Sequence, residues 1–176
     1  MAREVEPGTL RRLAGDISVL IEQLDTIVGE ATEALASLPT GSSPQRWCVR
    51  AFGSILHDFY TAVEDVFEAI VQDLNGSLPA GKGWHTRLLR SMAAEIPGVR
   101  PAVVSKESTK WLEDYLSFRR VFRNVYGHRL EWSRMGSLVK ALPALYDGLR
   151  KELVQFTEYL TAMASHLEEP GNAPEE

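Results

Sequence analysis

An arginine beside a histidine sets a fixed cation next to a group that titrates near neutrality, and the segment Arg123-Asn124-Val125-Tyr126-Gly127-His128 contains such a pair. On an unbroken helix, positions five apart point about 140° away from each other, so Arg123 and His128 share a site only if the chain turns between them. Gly127 supplies the turn, because glycine reaches left-handed backbone angles without penalty and is favoured just past a helix end. Together the two side chains suit phosphate chemistry: the guanidinium holds non-bridging oxygens in its planar fork while the imidazole moves a proton. Their surroundings agree in sign. Between Phe118 and Lys140, six basic residues (Arg119, Arg120, Arg123, Arg129, Arg134, Lys140) stand against one acidic residue, Glu131. The whole chain carries a net charge of −5, so this positive segment is local, which argues against indiscriminate coating of nucleic acid.

The elements that must position this pair are helical. Apolar residues from Leu10 through Ile17, Leu24 and Val28 to Leu35 recur at spacings of three and four and predict a first helix from about Thr9 to Leu38. Pro39 to Pro44 stops it, and Ser43-Pro44 makes a cap and first-turn pair for a second helix, which carries Phe52, Leu56, Phe59, Val63, Val66, Phe67 and Ile70 and ends at Asn75-Gly76. A short helix follows from Trp84 to Ala94. The motif helix is capped by Ser105 or Ser108; its stripe of Trp111, Tyr115, Phe118, Phe122 and Val125 is expected to face the core. Leu112, Leu116 and Arg119 lie on another strip with Arg123, which is expected to be exposed and to form a dimer surface. Arg129 to Gly136 reads as a turn or frayed start before a last helix from Leu138 to Leu167, which Pro143 either kinks or opens. The whole reads as one all-α domain over 1–169, an up-and-down bundle of four long helices plus a short one, with 170–176 as a disordered acidic tail.

The ordered set of segments carries a resemblance. Leu56-His57-Asp58-Phe59-Tyr60-Thr61-Ala62-Val63-Glu64-Asp65, then Gly83-Trp84-His85, then Arg100-Pro101-Ala102, and then Phe118-Arg119-Arg120-Val121-Phe122 leading into Arg123-Asn124-x3-His128 together resemble the HepT-like branch of the HEPN superfamily, over roughly residues 50 to 160. The resemblance implies a metal-independent endoribonuclease with no cofactor. The ribose 2′-hydroxyl attacks the neighbouring phosphorus to leave a 2′,3′-cyclic phosphate; Arg123 and His128 act on the phosphorus with Asn124 positioning them, and Glu64 or Asp58, with Tyr126, supports the site. Arg119, Arg120 and Arg129 are the candidate substrate contacts. The resemblance also implies a homodimer with two motifs lining one groove, RNA as substrate, and an antitoxin partner of the minimal nucleotidyltransferase type. In that branch a tyrosine two residues after the histidine accepts AMP from the antitoxin; here that position is Leu130.

Other classes are disfavoured on residue grounds. No run of 18 apolar residues and no apolar segment after Met1 is present, which predicts a cytoplasmic protein without a membrane span. Cys48 is the only cysteine, so no internal disulfide or thiolate cluster forms. Gly76-x4-Gly81-Lys82 imitates a P-loop but follows a helix and has Gly83 where Ser or Thr would hold magnesium. None of His57, His85, His128 or His166 has a glutamate three residues before it, as a di-metal bundle requires. His57 beside Asp58 reads as helix surface. His85 reads as structural, since nothing acidic lies close in sequence to orient it. The alternative function is a catalytically inactive module of the same fold that binds a nucleotide, RNA or a partner protein through Arg123 and His128.

Overall fold

The helical periodicities are realised as five helices among the described residues: α1 (Pro7–Ala36), α2 (Arg46–Ile70), α3 (Trp84–Met92), α4 (Lys106–Asn124) and α5 (Trp132–Glu168). The structure is a computed structural model that describes residues 5–39, 43–124 and 130–168. The predicted Gly127 turn, Tyr126, His128, Arg129 and the tail 170–176 lie outside the described residues.

α1 and α5 pack along each other, and α2 lies against α1 and reaches α3, α4 and α5. The α1 stripe is buried as its spacing predicts, with Leu13, Ile17, Leu24 and Ala31 shut off from solvent. A polar clamp joins the two long helices: the Tyr146 hydroxyl donates to Ile21 O at 3.1 Å and to Asp25 Oδ1 at 2.6 Å, and Arg150 Nε reaches the same Asp25 oxygen at 2.9 Å. The Arg150 hydrogen bond, opposed by partial burial and aided by Tyr146, holds the Asp25 carboxyl below its usual range. A folded-state value below the unfolded one contributes stability that is present above the unfolded pKa and lost as pH falls through the folded pKa. The Asp25–Arg150 pair is largely solvated, so Asp25→Asn should cost no more than about 1 kcal/mol at pH 7, and less as pH falls through the folded pKa of Asp25, read from urea midpoints.

The second helical stretch ends at Asn75-Gly76 as expected, its last turn, Val71–Asn75, being π-helical before Gly76 turns the chain at φ 86°. α5 already begins at Trp132, because Gly136 lets the Trp132 indole lie against the helix; a Cβ there would stand 2.8 Å from Trp132 Cε2. It runs on through Pro143 to Glu168 as one helix, so Pro143 does not open its main part. Ser105, not Ser108, caps α4, its hydroxyl oxygen accepting the Ser108 N–H at 3.0 Å.

α4 is buried over a different arc from the one expected. Leu112, Leu116 and Arg119 face α2 and α3, with Leu112 0% and Arg119 9% exposed, whereas Trp111 is 48% exposed. Tyr115 remains in the core and donates its hydroxyl to Leu138 O at 2.8 Å. The Leu112–Leu116 strip is therefore an internal seam and cannot form a dimer surface. A helix packed against three neighbours buries more than one stripe, and heptad spacing on one stripe does not reveal the second.

Candidate functional site

Two buried stripes each carry one charge, and the charges meet. On α2, Tyr60, Glu64, Phe67 and Val71 follow one another at helical spacing, and Glu64 is 3% exposed. On α4, Arg119 follows Leu112 and Leu116 in the same way. Arg119 Nη2 lies 3.0 Å from Glu64 Oε2, and its Nε stands 3.5 Å from Thr61 Oγ1. The second Glu64 oxygen, Oε1, is 2.5 Å from His85 Nδ1 at the start of α3. The carboxylate thus holds three helices together, with a permanent cation on one oxygen and an imidazole on the other. Trp84 stacks on the His85 ring at a centroid distance of 3.8 Å and fixes its plane.

The other basic residues of α4 point outward. Arg120 is exposed and donates from Nη2 to Thr86 Oγ1 at 2.6 Å, which brings its guanidinium beside the residue that follows His85. Arg123, in the last helical turn, is exposed and makes no hydrogen bond or ion pair among the described residues. Asn124 returns its amide to Arg120 O at 2.8 Å and so closes the end of its own helix.

His57 marks where α2 meets this end of α4. Its ring stacks on Phe122 at 5.1 Å, and among the described residues its buried Nδ1 has no hydrogen-bond partner. Burial, followed by Arg119 and Arg123, lowers its pKa, with Asp58 opposing. His57 thus belongs to the α2–α4 contact and not to the helix surface. Asp58 is exposed, takes a 3.4 Å contact from Ser54 Oγ and stands apart from Glu64. One turn before His57, Gly53 leaves room for the chain that re-enters at Leu130; a Cβ on Gly53 would stand 2.8 Å from Leu130 Cδ1 and 3.0 Å from Phe122 Cε2. The two ends of the segment that carries His128 are therefore both placed against α2.

Of the expected site residues, the structure joins Glu64 with Arg119 and sets Arg120, Arg123 and Asn124 at the outer end of α4. Arg119 is corrected from substrate contact to internal partner, because its fork is occupied by Glu64 and it is buried. His85 is the residue that sequence reasoning missed: its acidic neighbour lies 21 positions away on another helix. A groove of about 860 Å³ runs between α4 and the start of α5; its described lining, which includes Ser117, Phe118, Val121, Leu130, Met135 and Leu138, contains none of Glu64, His85, Arg119, Arg120 and Arg123.

The family profile described as HepT-like protein matches residues 51–160, from the second turn of α2 into α5. The chain belongs to the HepT-like family, within the HEPN superfamily. The match takes in every element that carries the cluster: the α2 carboxylate, the α3 histidine and the α4 arginines of this HepT-like protein all lie inside it. Comparison with curated proteins and with solved structures returns no match. No helix among the described residues is long and apolar enough to cross a membrane.

Proposed function

We propose that this HepT-like protein is a metal-independent endoribonuclease, the toxin of a toxin and antitoxin pair acting in the cytoplasm, that cleaves RNA with Arg123 and His128. The observation that carries the reading is the division of labour along α4. Arg119 is committed to a buried carboxylate, while Arg123, one turn later, is exposed with no ion-pair partner among the described residues, just ahead of the segment that contains His128. Preorganised cations aimed at a phosphorane stabilise its developing charge most strongly where water is excluded. In the proposed reaction His128 transfers protons, Arg123 holds the non-bridging oxygens, and Asn124 and Tyr126 position them. Arg120 and Arg129 contact neighbouring phosphates, and Glu64 supports the site through Arg119.

A homodimer with two motifs lining one groove remains part of the proposal, but its interface lies elsewhere than Leu112 and Leu116. Exposed apolar surface on α4 is supplied by Trp111 and by Val121, which is 55% exposed. The cognate antitoxin is a minimal nucleotidyltransferase. Leu130 packs against the core and has no hydroxyl to modify, which leaves Tyr126 as its acceptor near the motif.

The deciding experiment incubates purified protein with total RNA in EDTA and examines the ends. Cleavage to 2′,3′-cyclic phosphate and 5′-hydroxyl termini, unchanged by chelator, is expected. A strict metal requirement, or binding without cleavage, overturns the reading and leaves a non-catalytic module.

A further inference from the structure

We propose that His85 is a second catalytic residue of this site, the general base that takes the ribose 2′ proton, so that one chain carries both proton-transfer groups. The inference rests on the ribonuclease reading above and assigns a role to a residue outside the Arg123/His128 motif.

The geometry is that of an oriented base. Glu64 is ion-paired with Arg119 and so meets His85 as a carboxylate, an acceptor only; Nδ1 must then be the donor of their 2.5 Å contact. That tautomer leaves the lone pair on Nε2, which has no partner among the described residues, on a ring whose side chain is 19% exposed. A histidine held through one nitrogen by a carboxylate, with the other nitrogen free, is the recurrent arrangement for activating a hydroxyl. Arg119 balances Glu64 in every state of the imidazole, so gaining a proton never leaves the buried carboxylate without a partner.

The position suits the reaction. Arg120 places its guanidinium on Thr86, next in sequence to His85, and Arg123 follows on the same helix about 4.5 Å further along its axis. A phosphodiester seated on these two arginines lies beside His85. In the step, His85 Nε2 accepts the 2′ proton, the 2′-oxygen–phosphorus bond forms, the phosphorus–5′-oxygen bond breaks, and His128 in its protonated state donates to the leaving 5′-oxygen. Protons and electron pairs balance, and the two imidazoles end in exchanged states.

The test compares wild type, His85→Ala and His85→Gln on a short RNA of defined sequence across pH. Wild type should give a bell-shaped profile of kcat/KM. Both variants should lose at least about 10²-fold in kcat with little change in KM, and should lose the acidic limb, which reports the base. Added free imidazole should restore part of the activity of His85→Ala, a response that a merely structural residue does not produce. If His85→Ala melts below the assay temperature, His85→Gln decides, provided its melting curve matches wild type. Activity within a few-fold of wild type, with both limbs intact, in a folded His85→Gln protein overturns this inference and leaves the Arg123/His128 reading standing. Failure of wild type to cleave overturns both.

Discussion

Replacing Arg123 with alanine should lower RNA cleavage by about 10² to 10³-fold while leaving the melting temperature unchanged, and the same replacement at Arg119 should do the reverse in kind, unfolding the protein before its chemistry can be read. The two residues share one helix face and one charge, yet their surroundings assign them opposite roles. Arg123 is exposed and has no ion-pair partner among the described residues, so its removal leaves nothing buried and unpaired. Arg119 neutralises Glu64 in the interior; removing one partner of a buried pair typically costs about 3 to 5 kcal/mol, or about 6 to 20 °C in a chain of this size. His128→Ala should resemble Arg123→Ala, with a loss of about 10² to 10⁴-fold, the usual contribution of a positioned proton-transfer group. Calorimetry together with cleavage of a defined RNA in EDTA separates these outcomes. Cleavage within a few-fold of wild type in Arg123→Ala would remove that guanidinium from the mechanism.

The first two helices were legible in the sequence because each is long, strongly periodic and bounded by proline or glycine. The α1 stripe is the clearest instance, its bounds shifting by only two residues at each end. What could not be read from one stripe was the second buried face of α4. Tyr115 and its neighbours already supply one core stripe, which makes Leu112 and Leu116 read as surface, but both are buried on a second side of the helix. The clue lay in the pairing. A glutamate among Tyr60, Phe67 and Val71 and an arginine behind Leu112 and Leu116 are each anomalous on a buried stripe, and a charge in the interior needs a partner of opposite sign. Glu64 meets Arg119 and His85 in the interior, while Asp58 stays on the outer surface.

His85 failed a local criterion that does not apply to tertiary contacts. Its acidic partner comes from another helix, and only the packing of α3 against α2 brings them together. Leu130 also acquires a physical reason. Gly53 has no side chain, so a leucine at 130 fills the space against α2 and Phe122, and the position serves packing.

Replacing Glu64 by alanine should destabilise the protein by about 3 to 5 kcal/mol, because Arg119 is then buried without its anion and His85 without its acceptor. The informative comparison is a double replacement, Glu64→Leu with Arg119→Met. Exchanging both members of a buried ion pair for apolar side chains of similar volume is often neutral or stabilising, by up to about 4 kcal/mol, since the desolvation of two charges is avoided. The double variant should therefore melt at or above wild type although each single replacement melts well below it, and the double-mutant cycle should show a coupling of about 6 kcal/mol or more, at least the sum of two single costs of about 3 to 5 kcal/mol each. Activity should not recover with stability. Without the carboxylate, nothing fixes the tautomer of His85, and cleavage should remain at least about 10²-fold below wild type in a fully folded protein. Urea melts of the four proteins give the stabilities, and cleavage of the same RNA gives the rates. A double variant as unstable as Glu64→Ala would show that the triad is not a self-contained charge pair. A double variant that is stable and fully active would confine Glu64, Arg119 and His85 to holding α2, α3 and α4 together.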